Sequence, residues 1–441
     1  MGNLAFNLGL VATDGKMMNY IEDFEEEMLR GLEGKDSSLL MLPTYISQEQ
    51  LRFHESDAKA DNITGKSGQA AVIDAGGTNL RIALVELGKG SPNIKYYEKY
   101  PIPGFREKVS KEEFFSRLSA YLEPIIGESD KIGFCFSNPA EVLPNRDAKI
   151  ITFTKEVVVT GSEGALLGES LKAALRERGL PWEKNVVVLN DTVATQLSAM
   201  ADSKRRGRYS GYIGLILGTG INASYSERNE FIKKSEYLRT KPGTTIINTE
   251  AGGYGGFPQN EVDSRFIAAT CDPDYHKFEK MASGAYQYNL LLEWIRYAVA
   301  EKQFSEGFSM ALNSLESIPI GDADRFYFSP GQDALSGLCK NDSDREGLKQ
   351  LIEAFFDRVG FMTAAVLTGM IKRMGDGGKN PERPVCISAE GTTFYNARLL
   401  RPGLERYMEK YTRGELGYHY DFVRIEDATI LGSAVAGLAG E

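Results

Sequence analysis

Cysteine and histidine are scarce in this 441-residue chain, and what they lack in number they also lack in pattern. Four cysteines (Cys135, Cys271, Cys339, Cys386) form no CxxC pair, which fits reduced thiols better than a disulfide framework. The three histidines, His54, His276 and His419, stand far apart, and no helix carries two at metal spacing. That argues against a zinc site. No apolar run reaches the ~18 residues of a membrane span. The N-terminus lacks a basic region with an unbroken apolar core, so a signal peptide is not expected. Met1-Gly2 hints at myristoylation, but Phe6 stands where that motif needs Ser or Thr. Positive charge is also in deficit. A net charge of −10 argues against a nucleic-acid partner, and Lys204-Arg205-Arg206-Arg208 reads as a solvated turn. Kinase-type HRD and DFG signatures are absent. Gly65-Lys66-Ser67 mimics the tail of a Walker motif, but its first glycine would fall at Ala60 and no strand precedes it. The expectation is a soluble cytoplasmic protein of two or three domains, with 42% hydrophobic residues and ample interior.

What is present centres on 70–87, AAVIDAGGTNLRIALVEL. Two apolar strands flank a turn holding Asp74, Gly76, Gly77, Thr78 and Asn79, with Arg81 just beyond. Glycines let backbone approach a phosphate, and successive N–H groups in such a turn make an anion nest. Asp74 could hold hydrated Mg²⁺ through water. Taken alone, the stretch reads more simply as an ordinary Gly-Gly hairpin. A second copy, YIGLILGTGINASYS over 212–226, places Gly218-Thr219-Gly220 between two strands. A third strand, 385–389, runs into Glu390-Gly391-Thr392-Thr393. A nucleotide gripped between two lobes, each lending a phosphate turn, accounts for these together.

Other elements emerge from periodicity. Residues 19–32 predict an acidic amphipathic helix with Ile21, Phe24, Met28, Leu29 and Leu32 on one face. Residues 39–46 read as extended, and 52–68 as a polar loop crossing between lobes. Strands are expected at 132–139 and 185–189, with a helix at 166–178. Asn190-Asp191 closes the second strand and opens a helix over 192–200. Asp191 there can point into a cleft or simply cap its helix. Glu250, in the Gly-rich loop 246–258, can face a cleft or solvent. Helices are expected over 278–294, with Glu279 near the start and Gly284 interrupting. One long helix or a broken pair is expected over 345–374, and a close-packed final helix over 428–438.

In order along the chain, these segments resemble the hexokinases. Asp74–Arg81 is similar to that family's first phosphate motif, and 217–225 (LGTGINASY) to its second. Ser137-Asn138-Pro139 and Thr154-Lys155 are similar to its sugar-binding stretches; NDTV at 190–193, NTEAG at 248–252 and FEK at 278–280 complete the set. Four positions depart: Asn138 replaces an aromatic, Glu156 a glycine, Ala251 a tryptophan and Glu390 an aspartate. The first three lie beside the expected sugar site.

The resemblance implies a two-lobed actin-like ATPase (ribonuclease H-like) α/β fold, with a mixed sheet in each lobe and a cleft between. Residues 68–189 plus 428–441 would form the small lobe, and 1–67 plus 190–427 the large one. It implies phosphoryl transfer from ATP, with Mg²⁺, to the 6-hydroxyl of a hexose, glucose foremost. Asp191 would be the general base and Lys155 would stabilise the moving phosphoryl group. Ser137, Thr154, Lys155, Asn190, Asp191, Asn222, Glu250 and Glu279 would hold the sugar. Asp74, Gly76, Gly77, Thr78, Asn79, Arg81, Gly218, Thr219, Gly220, Gly284, Gly391 and Thr392 would hold the nucleotide. Asp74 and Asp191 would bind the metal through water. Two other classes share these turns: an actin-like ATPase or chaperone, and a non-catalytic sugar sensor on a kinase scaffold.

Overall fold

The computed structural model describes residues 8–10, 14–47, 68–77, 79–87, 92–129, 131–153, 157–180, 182–183, 185–202, 205 and 207–439. The Walker-like Gly65-Lys66-Ser67, the crossing loop 52–67, Thr78, Thr154, Lys155 and Glu156 lie outside these residues, as do Lys204 and Arg206 of the basic turn.

The strands, in chain order, are β1 (Leu42–Pro43), β2 (Gly68–Ala75), β3 (Asn79–Leu87), β4 (Asn93–Pro101), β5 (Lys108–Ser110), β6 (Lys131–Phe136), β7 (Ala140–Val142), β8 (Ala148–Ile150), β9 (Val158–Thr160), β10 (Val186–Leu189), β11 (Gly211–Leu217), β12 (Ile221–Arg228), β13 (Thr244–Asn248), β14 (Val385–Glu390) and β15 (Tyr420–Val423). Two mixed sheets dominate. One has the order β10-β6-β2-β3-β4, parallel through β10, β6 and β2 and antiparallel beyond. The other has the order β1-β13-β12-β11-β14-β15, parallel only through β11, β14 and β15.

Both faces of the five-stranded sheet are buried at β10, β6, β2 and β3, so those strands read as nearly continuous apolar runs, while the edge strand β4 is largely exposed. Period-two alternation sends Ala71, Ile73, Ile82 and Leu84 toward Phe114, Leu118 and Leu122 of helix Lys111–Ile126. It sends Ala70, Val72, Ala83 and Val85 the other way, onto Val193, Ala194 and Leu197 of helix Asp191–Ala201 and Ile430 and Ala434 of helix Ala428–Leu438. Those two helices lie against each other, and helix Asp191–Ala201 also packs on β11 and β12. The layer between the sheets is therefore two helices, one of which begins at Asp191.

The larger core gathers around helix Asp342–Arg373, a single 32-residue helix rather than a broken pair. It is long and apolar enough over one stretch to cross a bilayer, yet that stretch is buried inside the protein. The amphipathic N-terminal helix, Met17–Glu33, buries Ile21, Phe24, Met28 and Leu32 in the same core, and Leu29 only in part. The break expected near Gly284 separates helix Lys277–Ala282 from helix Gln287–Ala300.

Candidate active site

The first glycine turn closes the β2–β3 hairpin, whose register pairs Asp74 with Arg81. Gly76 N–H donates to the Asn79 carbonyl at 3.0 Å and so shuts the turn. Arg81 Nη2 lies 2.6 Å from Asp74 Oδ2, and Thr429 Oγ1 donates to that same oxygen at 2.7 Å. The other oxygen, Oδ1, is buried with no hydrogen-bond partner among the described residues. A buried anionic oxygen in that state calls for a water or a hydrated cation.

The second turn joins β11 to β12 and is braced from two sides. Gly284 N–H donates to the Gly218 carbonyl at 2.8 Å, and Ala285 N–H to the Thr219 carbonyl at 3.1 Å. Thr393 Oγ1 donates to the same Gly218 carbonyl at 2.9 Å. Gly284 therefore supports the turn from behind. The third turn differs from the first two, since β14 runs through Gly391 into a short helix, Thr392–Asn396. Gly391 has φ 115°, and an added Cβ would sit 2.3 Å from the Leu217 carbonyl oxygen, so only glycine fits against the second turn.

A cavity of about 520 Å³ lies between these turns. Asp74, Gly76, Gly77, Arg81, Ser137, Asp191, Gly218, Thr219, Gly220, Gly391 and Thr392 line it, as do Glu390, Arg424, Glu426, Asp427 and Thr429. Asp191 is not the cap of its helix. Asn190 holds that place, its side chain accepting from Thr192 N–H at 3.0 Å, while Asp191 is the first helical residue. Its carboxylate lines the cleft at the positive end of the helix dipole.

Three of the expected sugar residues, Asn190, Asn222 and Glu250, join through Asn248 into a polar chain beside Asp191. Asn222 Nδ2 donates to Asn190 Oδ1 at 3.4 Å and to Asn248 Oδ1 at 2.9 Å. Asn248 Nδ2 donates to Glu250 Oε1 at 2.7 Å. Asn222 Oδ1 accepts from Ala223 N–H and Ala251 N–H, which fixes its amide orientation. Glu279 Oε2 accepts from Ile221 N–H at 3.1 Å, immediately after the second glycine turn. Burial pushes the Glu250 carboxyl above the ordinary glutamate range; the Asn248 hydrogen bond opposes this and the charge of Asp191 adds to it. Ala251, where the family has tryptophan, is buried in the large core and holds Asn222 through its backbone.

Glu250 (φ 54°), His276 (φ 56°) and Asp427 (φ 52°) are all left-handed, a conformation costing a non-glycine residue on the order of 1 kcal/mol or more. Each stands at the cleft or the polar chain: His276 Nδ1 lies 4.0 Å from Glu279 Oε1, and Asp427 lines the cavity. Sequence reasoning missed Asn248 as a site residue although it sits inside the NTEAG motif. It also missed Arg424, Asp427 and Thr429, which reach the cleft only through the fold. Among the described residues no cluster of three His, Cys, Asp or Glu is set to bind a metal directly. Asp74 and Asp191, sharing one cavity, fit a cation held through water.

Comparison with known proteins places the chain. Two hexokinase family profiles match it end to end, one over residues 6–201 and the other over 212–439, the latter just over half its length. Mouse (Mus musculus) hexokinase-3 is 32% identical over 272 residues, 59% of this chain and 27% of that protein. Arabidopsis thaliana hexokinase-3 is 24% identical over 465 residues, 96% of this chain and 88% of that protein. The solved structure of Schistosoma mansoni hexokinase complexed with glucose superposes with a TM-score of 0.78 at 23% identity, covering 99% of this chain and 98% of that one. The chain spans about a quarter of the mouse and rat hexokinase-3 relatives. The shared architecture is the two-lobed actin-like fold, and the chain belongs to the hexokinase family.

Proposed function

We propose that this protein transfers the γ-phosphoryl group of ATP, bound as its magnesium complex, to the 6-hydroxyl of a hexose. The observation that carries the reading is the position of Asp191, relieved of capping by Asn190. It lines one cavity with both glycine hairpins and adjoins the Asn190–Asn222–Asn248–Glu250 chain. The glycine turns present backbone N–H groups to the polyphosphate. Asp191 accepts the proton of the sugar hydroxyl, whose oxygen attacks the γ-phosphorus as ADP departs, a general-base role worth about 10²–10⁴ in rate. Lys155, by the family resemblance, stabilises charge on the group in flight. Mg²⁺ when bound neutralises charge on the β- and γ-phosphates; Asp74 Oδ1 and Asp191 would hold its water shell. Arg81, tied to Asp74, braces the first turn.

The sugar is neutral and covered in hydroxyls, so its site needs matched acceptors, and each one left unmatched costs about 1–3 kcal/mol. Glu250 and Glu279 supply carboxylates that accept two hydroxyls each. Glucose is the first hexose to test, supported by the ligand of the Schistosoma mansoni structure. A cytoplasmic place at the entry to glycolysis belongs to the same proposal.

Hexose is expected to raise ATP turnover strongly, because lobe closure around the sugar would complete the site and exclude water. A coupled assay of ADP release across glucose, mannose, fructose and N-acetylated sugars checks this. Equal turnover with and without every sugar would favour an actin-like ATPase instead. Tight hexose binding without turnover would favour a sensor.

The hexose KM should also depend on pH in a definite direction. An acid whose pKa is raised takes up its proton early as pH falls, and a protonated Glu250 loses acceptor capacity. KM should therefore climb on acidification before an ordinary glutamate, at about 4.3, would titrate. Glu250→Gln should raise KM at neutral pH and flatten that part of the profile. A wild-type KM that climbs only where an ordinary glutamate titrates would contradict the assignment.

A further inference from the structure

Among the described residues lining the cleft, two are cations, Arg81 and Arg424, against five carboxylates: Asp74, Asp191, Glu390, Glu426 and Asp427. So acidic a cavity needs positive charge to receive a polyphosphate. Arg81 has largely spent its own on Asp74 at 2.6 Å. Arg424 has not. No salt bridge joins it to another described residue, and its guanidinium lies 4.5 Å over the ring of Tyr395. Tyr395 is itself fixed, since its hydroxyl donates to the Ala389 carbonyl at 2.7 Å. A guanidinium seated over a ring face is held in place while its N–H donors stay available to an oxyanion.

The location suits that task. Arg424 directly follows β15, the edge strand beside β14, and β14 delivers Gly391 and Thr392 to the cleft. Burial holds the carboxyl of half-buried Glu390 above the ordinary glutamate range, and the charges of Arg81 and Arg424 both act against that rise, so the two guanidinium groups face the same carboxylate. Nothing in the sequence pattern marks Arg424, which stands outside every motif that carries the family resemblance.

We propose that Arg424 is a polyphosphate ligand of the cleft, held ready by Tyr395 and donating to phosphate oxygens of the donor from the six-stranded-sheet side, across from the Asp74–Arg81 hairpin. This rests on the phosphotransfer reading above. Its chemistry, a guanidinium against phosphate oxygens, is indifferent to the nucleoside, so a nucleoside triphosphate and inorganic tripolyphosphate should feel it alike.

Calorimetric titration of the full chain with hexose and magnesium present tests this, using a non-hydrolysable ATP analogue and, separately, tripolyphosphate. Wild type, R424Q and R424K are compared, with hexose affinity and melting temperature as folding controls. R424Q should weaken both ligands about tenfold or more while leaving hexose affinity within twofold. R424K, which keeps the charge but loses the planar fork, should fall between. Equal affinity of wild type and R424Q for both ligands would overturn the assignment. Loss confined to the ATP analogue would also overturn it, placing Arg424 against the nucleoside. A wild type that binds neither ligand would instead bring down the phosphotransfer reading, and this assignment with it.

Discussion

Asp191→Asn should lower kcat by about 10²–10⁴ while leaving hexose affinity within a few-fold of wild type. The change is isosteric and removes the negative charge and with it the capacity to take up a proton. Asn190 caps the helix through Thr192 N–H, so its fold does not depend on Asp191. What the helix loses is a favourable charge at its first turn, about 0.3–1 kcal/mol, too little to unfold a domain of this size. On the proposed reading, sugar contact would persist through Asn190, Asn222, Asn248 and Glu250, which are bonded to one another. A parallel fall in kcat and kcat/KM therefore marks an interaction made only in the transition state. Steady-state kinetics paired with calorimetric hexose binding reads both quantities. Retention of kcat within threefold would remove Asp191 from the chemistry.

Local signals made much of this site readable in advance. The glycine hairpins announce themselves because strand alternation and turn chemistry act within about ten residues, and both form with the expected strands. The third unit was legible only as far as its glycine. Beyond Gly391 the chain turns helical, with Thr392–Asn396 packed beside β11 and β14. Asp191 shows the limit most clearly. Asn and Asp in tandem before a helix offer two caps, and nothing local says which one the backbone selects. The choice of Asn190 goes with a tertiary contact, the Asn222 amide reaching its side-chain oxygen from β12, 32 residues away. Thr429 binds Asp74 across 355 residues of chain and lies in a run that reads as plain apolar helix. Arg424 reaches the cleft only because β15 falls beside β14. Residues of this kind are chosen by topology, which periodicity does not encode.

The crossing of helix Asp191–Ala201 with helix Ala428–Leu438 couples this topology to the chemistry, and Gly432→Ala should break both together. A Cβ at Gly432 would lie 1.8 Å from the Ala194 carbonyl oxygen and 2.5 Å from its carbon. Both are backbone atoms, so no rotamer change relieves the overlap and the helices must separate by more than an ångström. Neither helix can retreat freely. Gly133 on β6 meets the Ser433 carbonyl from the far side, and Gly214 on β11 meets that of Thr192, with built Cβ distances of 2.0 Å in each case. The strain should cost about 1–3 kcal/mol, the usual range for overpacking, or more where backbone is trapped on both sides. Ala194 stands one turn from Asp191, so a shift there displaces the carboxylate from the reacting hydroxyl. Misplacement of about 1 Å can cost around 10² in rate. Gly432→Ala should accordingly lower both the melting temperature and kcat, while Gly337→Ala, whose Cβ would meet nothing within 4 Å, should change neither. Thermal unfolding and turnover measured on the same preparations decide it. Full activity in a Gly432→Ala protein of undiminished stability would mean that the two helices do not hold Asp191 in place.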